Sequence, residues 1–297
     1  MMKKTILIAI VAAVLAGLAP LADASFLTIG NPGNPADPRI MSDGTSGYGH
    51  VQYTYQIMSY AVTNAQWNAF IQSIGSAQTS TYTGDNKPVQ NVSWYQAAQY
   101  CNWLTTGNPY KGVYQFDDNG LFEGADREQA LLDYPDKLVY ALPTEDEWHK
   151  AAYYDPVTDS YTLYANDSDL PPVPGADAMY AQTRPYTGPW NVNDGAEEQN
   201  GTYNMMGNVW EWTETALGSY RVLRGGAFDS PDPYVLSSAY RHYIAVPHGQ
   251  FDNVGFRVVI IPEPAGLTLL LSGGLLLLRR RIQNQPTQFA NSTPMPR

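Results

Sequence analysis

Three segments place apolar residues at helical spacing directly after the same helix-start signal. In each segment a Ser or Thr is followed three positions later by Gln or Glu, a pairing in which both side chains satisfy free backbone donors of the first turn. Apolar residues then recur every three or four positions, as on one face of an amphipathic helix. The pattern predicts helices that begin after Thr63, Ser93 and Thr144.

Strand signals are shorter than the helical ones. Strands are predicted over residues 50–58, 137–142, 221–223 and 255–261. Two long segments, about 105–136 and 155–202, are rich in Gly, Pro, Asp and Asn. Loops of that length inside a domain are uncommon unless they carry function or order themselves. Because residues 25–261 show neither an internal repeat nor a linker, the pattern predicts a single domain.

The N-terminal end carries a targeting pattern. Two lysines precede an apolar run that ends in small residues at Ala22 and Ala24. A short basic region, an apolar core and a small-residue cleavage site are typical of a secretory signal peptide. We therefore expect residues 1–24 to be a signal peptide and the rest of the chain to be exported.

The C-terminal end carries a second targeting pattern. Pro262-Glu263-Pro264 precedes a 14-residue apolar run and then three arginines at 279–281. A membrane-spanning helix needs about 20 apolar residues, so this run makes only a short transmembrane segment. The three elements in this order resemble a PEP-CTERM sorting signal over residues 262–281. A plain C-terminal membrane anchor is the alternative, and residues 282–297 are expected to form a disordered cytoplasmic tail.

The resemblance to a PEP-CTERM signal implies a partner and a location. Such a tail is removed by an exosortase-type processing enzyme and holds the protein in the membrane until that step. We therefore expect the domain in the cell envelope, on the outer surface or in the extracellular matrix of a Gram-negative-type bacterium.

Composition narrows the classes of function. The 297-residue chain has 15% charged and 12% aromatic residues, a balance too apolar for a disordered chain. Its 28 acidic against 17 basic residues exclude a nucleic-acid binder, which needs a basic face. Its single cysteine excludes an internal disulfide framework and a zinc site with several thiolates. Residues 25–261 contain 26 acidic and 11 basic residues, so the exported domain favours cationic partners.

Six segments, in order, resemble motifs of the formylglycine-generating enzyme (sulfatase-modifying factor) family. They are YAVTNAQWNAF at 60–70, PVQNVSWYQAAQYCNWL at 88–104, LPTEDEWHKAAYY at 142–154, YNMMGNVWEWTE at 203–214, RVLRGGAF at 221–228 and NVGFRVV at 253–259. Together they span almost all of residues 25–261. The resemblance implies an α+β fold of the formylglycine-generating-enzyme type, related to the C-type lectin fold and poor in regular secondary structure.

The fourth of these motifs also implies a metal. The family binds calcium there, and the matching positions in this chain are Asn204, Gly207, Val209 and Glu211. Calcium takes about six to eight oxygen ligands from carboxylate, amide and carbonyl groups, which this set offers. The alternative is that the Glu211 carboxylate accepts hydrogen bonds from loop amides. A second calcium site of the family is not expected, because Met179-Tyr180 replaces its Asn-hydrophobic pair.

The catalytic position departs from the family. Family enzymes oxidise a substrate cysteine to formylglycine with oxygen, and they bind copper(I) through two cysteines between the RGG and GFR motifs. Soft thiolates suit that ion. Residues 227–254 contain no cysteine. A count from the RGG motif places Ser230 and Val235 at the two positions, and a count back from Arg241 places Phe228 and Pro233 there. Copper is therefore not expected.

The one cysteine of the chain does not restore this chemistry. Cys101 falls in the apolar pattern of the second predicted helix. Reactive thiolates need an electropositive and partly exposed setting, so we expect a buried and inert thiol. Within the fold, Arg224 and Arg257 are expected to hold carboxylates or carbonyl groups.

The preferred interpretation is a non-catalytic, calcium-stabilised binding module. Its ligand would be a peptide or a glycan, held in a groove bounded by residues 227–252, because aromatic faces stack while amides hydrogen-bond. The candidate groove residues are Asp229, Ser230, Tyr234, Arg241, His242 and His248. One alternative is an oxidoreductase of the formylglycine-generating type, or another metal-dependent oxidase that uses His242 and His248 with a nearby carboxylate. A structural surface protein is the third.

Overall fold

The computed structural model describes residues 25–262 of the chain. The predicted signal peptide, the sorting signal beyond Pro262 and the predicted cytoplasmic tail lie outside the described residues. Contacts divide the chain into two units, 1–261 and 262–297, and every helix and strand described here belongs to the first. No helix within residues 25–262 has the length and apolar character that crossing a membrane requires.

All three predicted helices are present, and each begins at its predicted cap. The helices are α1 (Asn64–Ser73), α2 (Trp94–Thr106), α3 (Arg127–Asp133) and α4 (Glu145–Tyr153), with a 3-10 helix at Pro233–Leu236. Reciprocal capping boxes start α1, α2 and α4 at Thr63, Ser93 and Thr144. The short helix α3 was missed inside the predicted loop 105–136, because seven residues give almost no periodic pattern.

Twelve short strands are found in the described residues, and they form two four-stranded sheets and two hairpins. The strands are β1 (Phe26–Ile29), β2 (Tyr55–Met58), β3 (Tyr114–Phe116), β4 (Phe122–Ala125), β5 (Tyr140–Ala141), β6 (Tyr154–Asp155), β7 (Ser160–Tyr161), β8 (Trp210–Leu217), β9 (Tyr220–Arg224), β10 (His242–Ala245), β11 (Val254–Gly255) and β12 (Val259–Ile260). The first sheet has the order β1-β2-β12-β5 and the second β10-β9-β8-β11, while β3-β4 and β6-β7 pair alone. The result is a mixed α and β domain with few helices.

Several predicted strands are shorter than expected. Only the second half of 50–58 forms β2, and only two residues of 137–142 form β5. The predicted strand 255–261 is broken, because β11 joins the second sheet while β12 joins the first. The chain therefore crosses from one sheet to the other between Gly255 and Val259.

The second sheet positions the candidate site. Its central strand β8 pairs with β9 so that Trp212 faces Leu223, and β10 pairs with β9 so that His242 faces the same Leu223. On the other side β11 runs parallel to β8 and places Val254 opposite Trp210. Because side chains alternate along a strand, Trp210, Trp212, Leu223 and His242 lie on one face of this sheet.

The core is unusually aromatic, and one helix brings charges into it. Trp67 packs against Phe70 and Phe256 with ring centroids 5.1 and 6.0 Å away. Helix α4 is buried on nearly every side, including its Glu145, Glu147, His149 and Lys150 side chains. Buried charges need partners, and arginines supply them to both glutamates: Arg241 bonds Glu145 at 2.5 Å and Arg127 bonds Glu147 at 2.9 Å.

Candidate functional site

A cavity of about 310 Å³ opens beside the second sheet. Side chains from all four strands and from the β10–β11 connection line it: Trp210, Leu223, His242, Ala245, Val246, Phe251, Asn253 and Val254. Pockets for small ligands typically measure about 300–1,000 Å³ and are mostly apolar with a few polar groups. This cavity lies at the small end of that range, and it suits a single side chain or a small molecule.

A row of aromatic rings leads from the cavity to the surface. The ring of His242 lies 5.7 Å from Trp210, Trp210 lies 6.0 Å from Tyr240, and Tyr240 lies 5.6 Å from Tyr234. Tyr234 is half exposed at the outer end, and Phe251 is 39% exposed at the cavity. Rings in such a row offer faces to aromatic, aliphatic or cationic groups.

Two polar side chains face the cavity. The His242 Nδ1 atom is buried and has no hydrogen-bond partner, and burial lowers the pKa of this imidazole, so it is neutral at pH 7. The Asn253 amide Nδ2 donates to both carboxylate oxygens of Asp229 at 3.1 Å. Since that amide nitrogen is committed, Asn253 presents its Oδ1 as an acceptor.

Only part of the predicted groove lies at this cavity. His242 lines the cavity, Asp229 is bonded to its wall through Asn253, and Tyr234 ends the aromatic row. His248 is exposed and is absent from the lining. Ser230 is buried in a turn, where its Oγ accepts a hydrogen bond from the Ala227 amide at 2.9 Å.

Arg241, a predicted groove residue, does not line the cavity. Its guanidinium is 4% exposed and forms buried ion pairs with Glu145 at 2.5 Å and Asp43 at 2.6 Å. The physical reason is the alternation of side chains along an extended chain, which turns Arg241 away from the side that its neighbour His242 occupies. Arg241 therefore anchors the start of β10 to helix α4.

The positions of the family cysteines do not fit a copper(I) site. Ser230 holds the turn that follows the glycine pair, and Val235 packs on the core from the 3-10 helix. The count back from Arg241 gives no copper ligand either, because Phe228 is an apolar side chain buried between Tyr82 and Tyr186, with ring centroids 5.2 and 5.6 Å away. Neither a hydroxyl nor an apolar side chain replaces a thiolate ligand.

Cys101 is confirmed as a buried thiol. It lies in α2 with no exposed surface, and burial raises the pKa of its thiol well above the usual value. A thiol in that state is neither a nucleophile nor a metal ligand at pH 7.

At the predicted calcium site, the guanidinium of Arg257 is bonded to the Glu211 carboxylate. The Glu211 carboxylate is 1% exposed and accepts hydrogen bonds from Arg257 Nε at 2.7 Å, Arg257 Nη2 at 2.8 Å and Trp148 Nε1 at 2.7 Å. The Asn204 amide instead donates to the carbonyls of Val192 and Asp194 at 3.1 Å. Two oxygens already held by a guanidinium do not fit a calcium site, so calcium stays a prediction of the resemblance.

Arg224 and Arg257 are confirmed as internal anchors. Arg224 donates to the backbone carbonyls of Tyr240 and Ser238, and Arg257 is bonded to Glu211. Between residues 25 and 262 no group of three or more His, Cys, Asp or Glu side chains is arranged to hold a metal ion. The donor set proposed around His242 and His248 is therefore not brought together in this part of the chain.

A model of the sulfatase-modifying factor enzyme 1-like domain matches residues 48–261, so the chain belongs to this family. Chaperone protein LppX of Paenibacillus barcinonensis is 28% identical over 236 residues, which cover 69% of this chain and 79% of LppX. Hercynine oxygenase of Mycobacterium tuberculosis is 27% identical over 215 residues, which cover 64% of this chain and only 48% of that enzyme. The family resemblance of the sequence is thus confirmed.

A comparison of structures supports the same fold. Treponema denticola variable protein 1 superposes with a TM-score of 0.61 at 22% identity, over 80% of this chain and 95% of the other. At that identity the similarity concerns the fold alone.

Proposed function

We propose that this protein is a non-catalytic binding module of the sulfatase-modifying factor family, and that it holds a side chain of a peptide in the cavity beside His242. The cavity carries this proposal: it is built from four strands, it is mostly apolar, and the Asn253 side chain in its wall keeps its amide oxygen as an acceptor for a ligand. A sugar, with hydroxyl groups on several sides, would find too few hydrogen-bond partners there.

Relatives of this chain carry the names of both a chaperone and an enzyme, so the choice between binding and catalysis rests on the residues of the site. LppX is named a chaperone protein, whereas the mycobacterial relative is named an oxygenase. In this chain the segment of the family cysteines, residues 227–254, contains no cysteine and brings no thiolate. This departure supports binding without oxidation.

The location is proposed on the targeting patterns. Residues 1–24 and 262–281 support export and membrane-linked sorting by an exosortase-type enzyme, which would leave the domain at the envelope or in the extracellular matrix. The calcium of the original interpretation is not carried into the proposal, because Arg257 occupies both oxygens of Glu211.

Binding can be tested by probing peptide and glycan arrays with the purified full-length chain. We expect peptide spots to bind, and we expect Phe251→Ala to weaken them, because Phe251 lines the cavity at 39% exposure. Tyr220→Ala is the matched control, since Tyr220 is 40% exposed at the β8–β9 hairpin and is absent from the lining. Glycan spots that bind while peptides do not, or equal losses in both variants, would contradict the proposal.

A further inference from the structure

No charged side chain lines the cavity, but two carboxylates, those of Asp229 and Asp252, belong to residues next to its wall. Asp229 is half-buried and is bonded to Asn253, which forms part of the wall. Asp252 is exposed and lies in the chain between Phe251 and Asn253, which both line the cavity. Nearby charges attract or repel a ligand more strongly when the wall around them is apolar.

The two carboxylates lie near the same phenol. Burial, followed by the charges of Asp252 and Asp229, raises the pKa of Tyr82. Tyr82 also packs on Phe228, with ring centroids 5.2 Å apart. Phe228 directly precedes Asp229 in the chain. Asp229 and Asp252 therefore both lie close to the Tyr82 ring.

Neither carboxylate has a cation of its own. Among the ion pairs of residues 25–262, none involves Asp229 or Asp252. The nearby Arg184 is exposed and stacks over the ring of Tyr186 at 5.2 Å. By contrast, the buried Glu145 and Glu211 each hold an arginine. Within residues 25–262 the half-buried Asp229 carboxylate forms hydrogen bonds to the neutral amide of Asn253 and no ion pair.

The cavity itself offers what an organic cation needs. Trp210 and Phe251 supply aromatic faces for cation–π contact. The Asn253 Oδ1 accepts a hydrogen bond, and the bond from its Nδ2 to Asp229 polarises the amide in the favourable sense. An aliphatic stem would contact Leu223, Ala245 and Val254 on the way in.

From this arrangement we infer that the cavity selects a basic side chain, lysine or arginine, of the peptide it binds. The apolar wall takes the stem, the aromatic rings and Asn253 contact the charged head, and Asp229 and Asp252 supply the neutralising charge. This inference rests on the proposed function, since it names the side chain that the binding module recognises. An acidic side chain would meet uncompensated repulsion at the same position.

Matched peptides that differ at one position test the selection. Their central residue is Lys, Arg, norleucine or Glu, and their affinities for the full-length chain are measured by fluorescence anisotropy at low and high salt. A charge pair of this exposure is worth up to about 1 kcal/mol, so we expect Lys and Arg to bind about fivefold more tightly than norleucine. The preference should shrink in high salt, and Glu should bind most weakly.

Two variants locate the charge. Asp229→Asn and Asp252→Asn should each reduce the preference for Lys over norleucine. Asp118→Asn, in the exposed β3–β4 turn, should leave the preference intact. Equal affinity for Lys and norleucine, or an unaltered preference in both variants, would overturn the selection while the peptide site stands. Failure of all four peptides to bind would overturn the proposed function together with it.

Discussion

The guanidinium of Arg257 connects several distant segments of this domain by hydrogen bonds. It holds the Glu211 carboxylate through Nε and Nη2, and it also donates to the backbone carbonyls of Met58, Ser59 and Tyr203 at 3.0–3.2 Å. All of its N–H donors point at an oxygen. One carboxylate and three carbonyls are the kinds of ligand that calcium gathers in proteins. In this chain a side chain supplies the positive charge.

Removal of Arg257 should therefore strip a buried carboxylate of its partner. We expect Arg257→Met to lower the free energy of unfolding by about 3–5 kcal/mol, measured by urea denaturation. Arg184→Met is the control, because Arg184 is exposed, and it should change stability by about 0.5 kcal/mol or less. A loss below about 1 kcal/mol for Arg257→Met would show that Glu211 has another counter-ion.

Chelation distinguishes the arginine from a metal. Because Arg257 already neutralises Glu211, we expect the Tm of the full-length chain to be the same with and without excess EGTA. The measurement is a thermal melt followed by circular dichroism. A drop of several degrees that added calcium restores would instead support calcium at Asn204, Gly207, Val209 and Glu211.

At the scale of elements, helix α4 places titratable groups where water does not reach. His149 on this helix is fully buried, with Nε2 2.9 Å from a carboxylate oxygen of Asp37. The other ring nitrogen, Nδ1, meets the guanidinium of Arg224. Burial, and then the charge of Arg224, lower the pKa of His149 from 6.5 to about 4, against the opposing hydrogen bond to Asp37. The folded protein therefore keeps this imidazole neutral.

The pH dependence of stability follows from that shift. Above pH 6.5 the imidazole is neutral in both states, and its contribution is fully present. As pH falls from 6.5 to about 4, His149 becomes protonated in the unfolded chain but stays neutral in the folded protein. The free energy of unfolding therefore decreases over this range. We expect a loss of about 2 kcal/mol between pH 7 and pH 5 from this group. His149→Gln should flatten that part of the profile in urea unfolding, and equal slopes in the two proteins would contradict the assignment.

Helix starts could be predicted from the sequence because they are local. The capping boxes at Thr63, Ser93 and Thr144 involve residues only three positions apart. Two-residue strands such as β5 and β11 carry no pattern of their own, and they exist because distant strands pair with them. For the same reason the longest strand, β8, was missed: its first half is buried throughout, which hides the alternation that marks a strand.

The site could be predicted only in part, for a related reason. His242 was found from residue type and position, but its neighbour Arg241 was assigned to the same groove although it serves a buried ion pair. The other walls come from β8, β9 and β11, which lie far apart in the chain and meet only in the sheet. Trp210, Phe251 and Asn253 gave no sequence signal as a set.

At the scale of the whole molecule, two linked four-stranded sheets form a frame, and a small cavity opens beside the second of them. Arg257 lies between β11 of the second sheet and β12 of the first, and it bonds to the end of β2 and to β8. This buried ion pair thereby ties the two sheets together. The cavity lies beside the second sheet and is also lined by the β10–β11 connection, and the sheet fixes Trp210 and His242 in its wall. A preformed pocket of this kind loses little entropy when a ligand binds.

The central claim is that a ligand is bound at the cavity beside His242. Two histidines of one segment allow a matched test, because His242 lines the cavity whereas His248 is exposed outside it. The measurement is calorimetric titration of an array-selected peptide into the full-length chain and into His242→Ala and His248→Ala. We predict that His242→Ala weakens binding about tenfold and that His248→Ala changes it by less than about twofold. Equal affinities in all three proteins, or a loss confined to His248→Ala, would contradict the account.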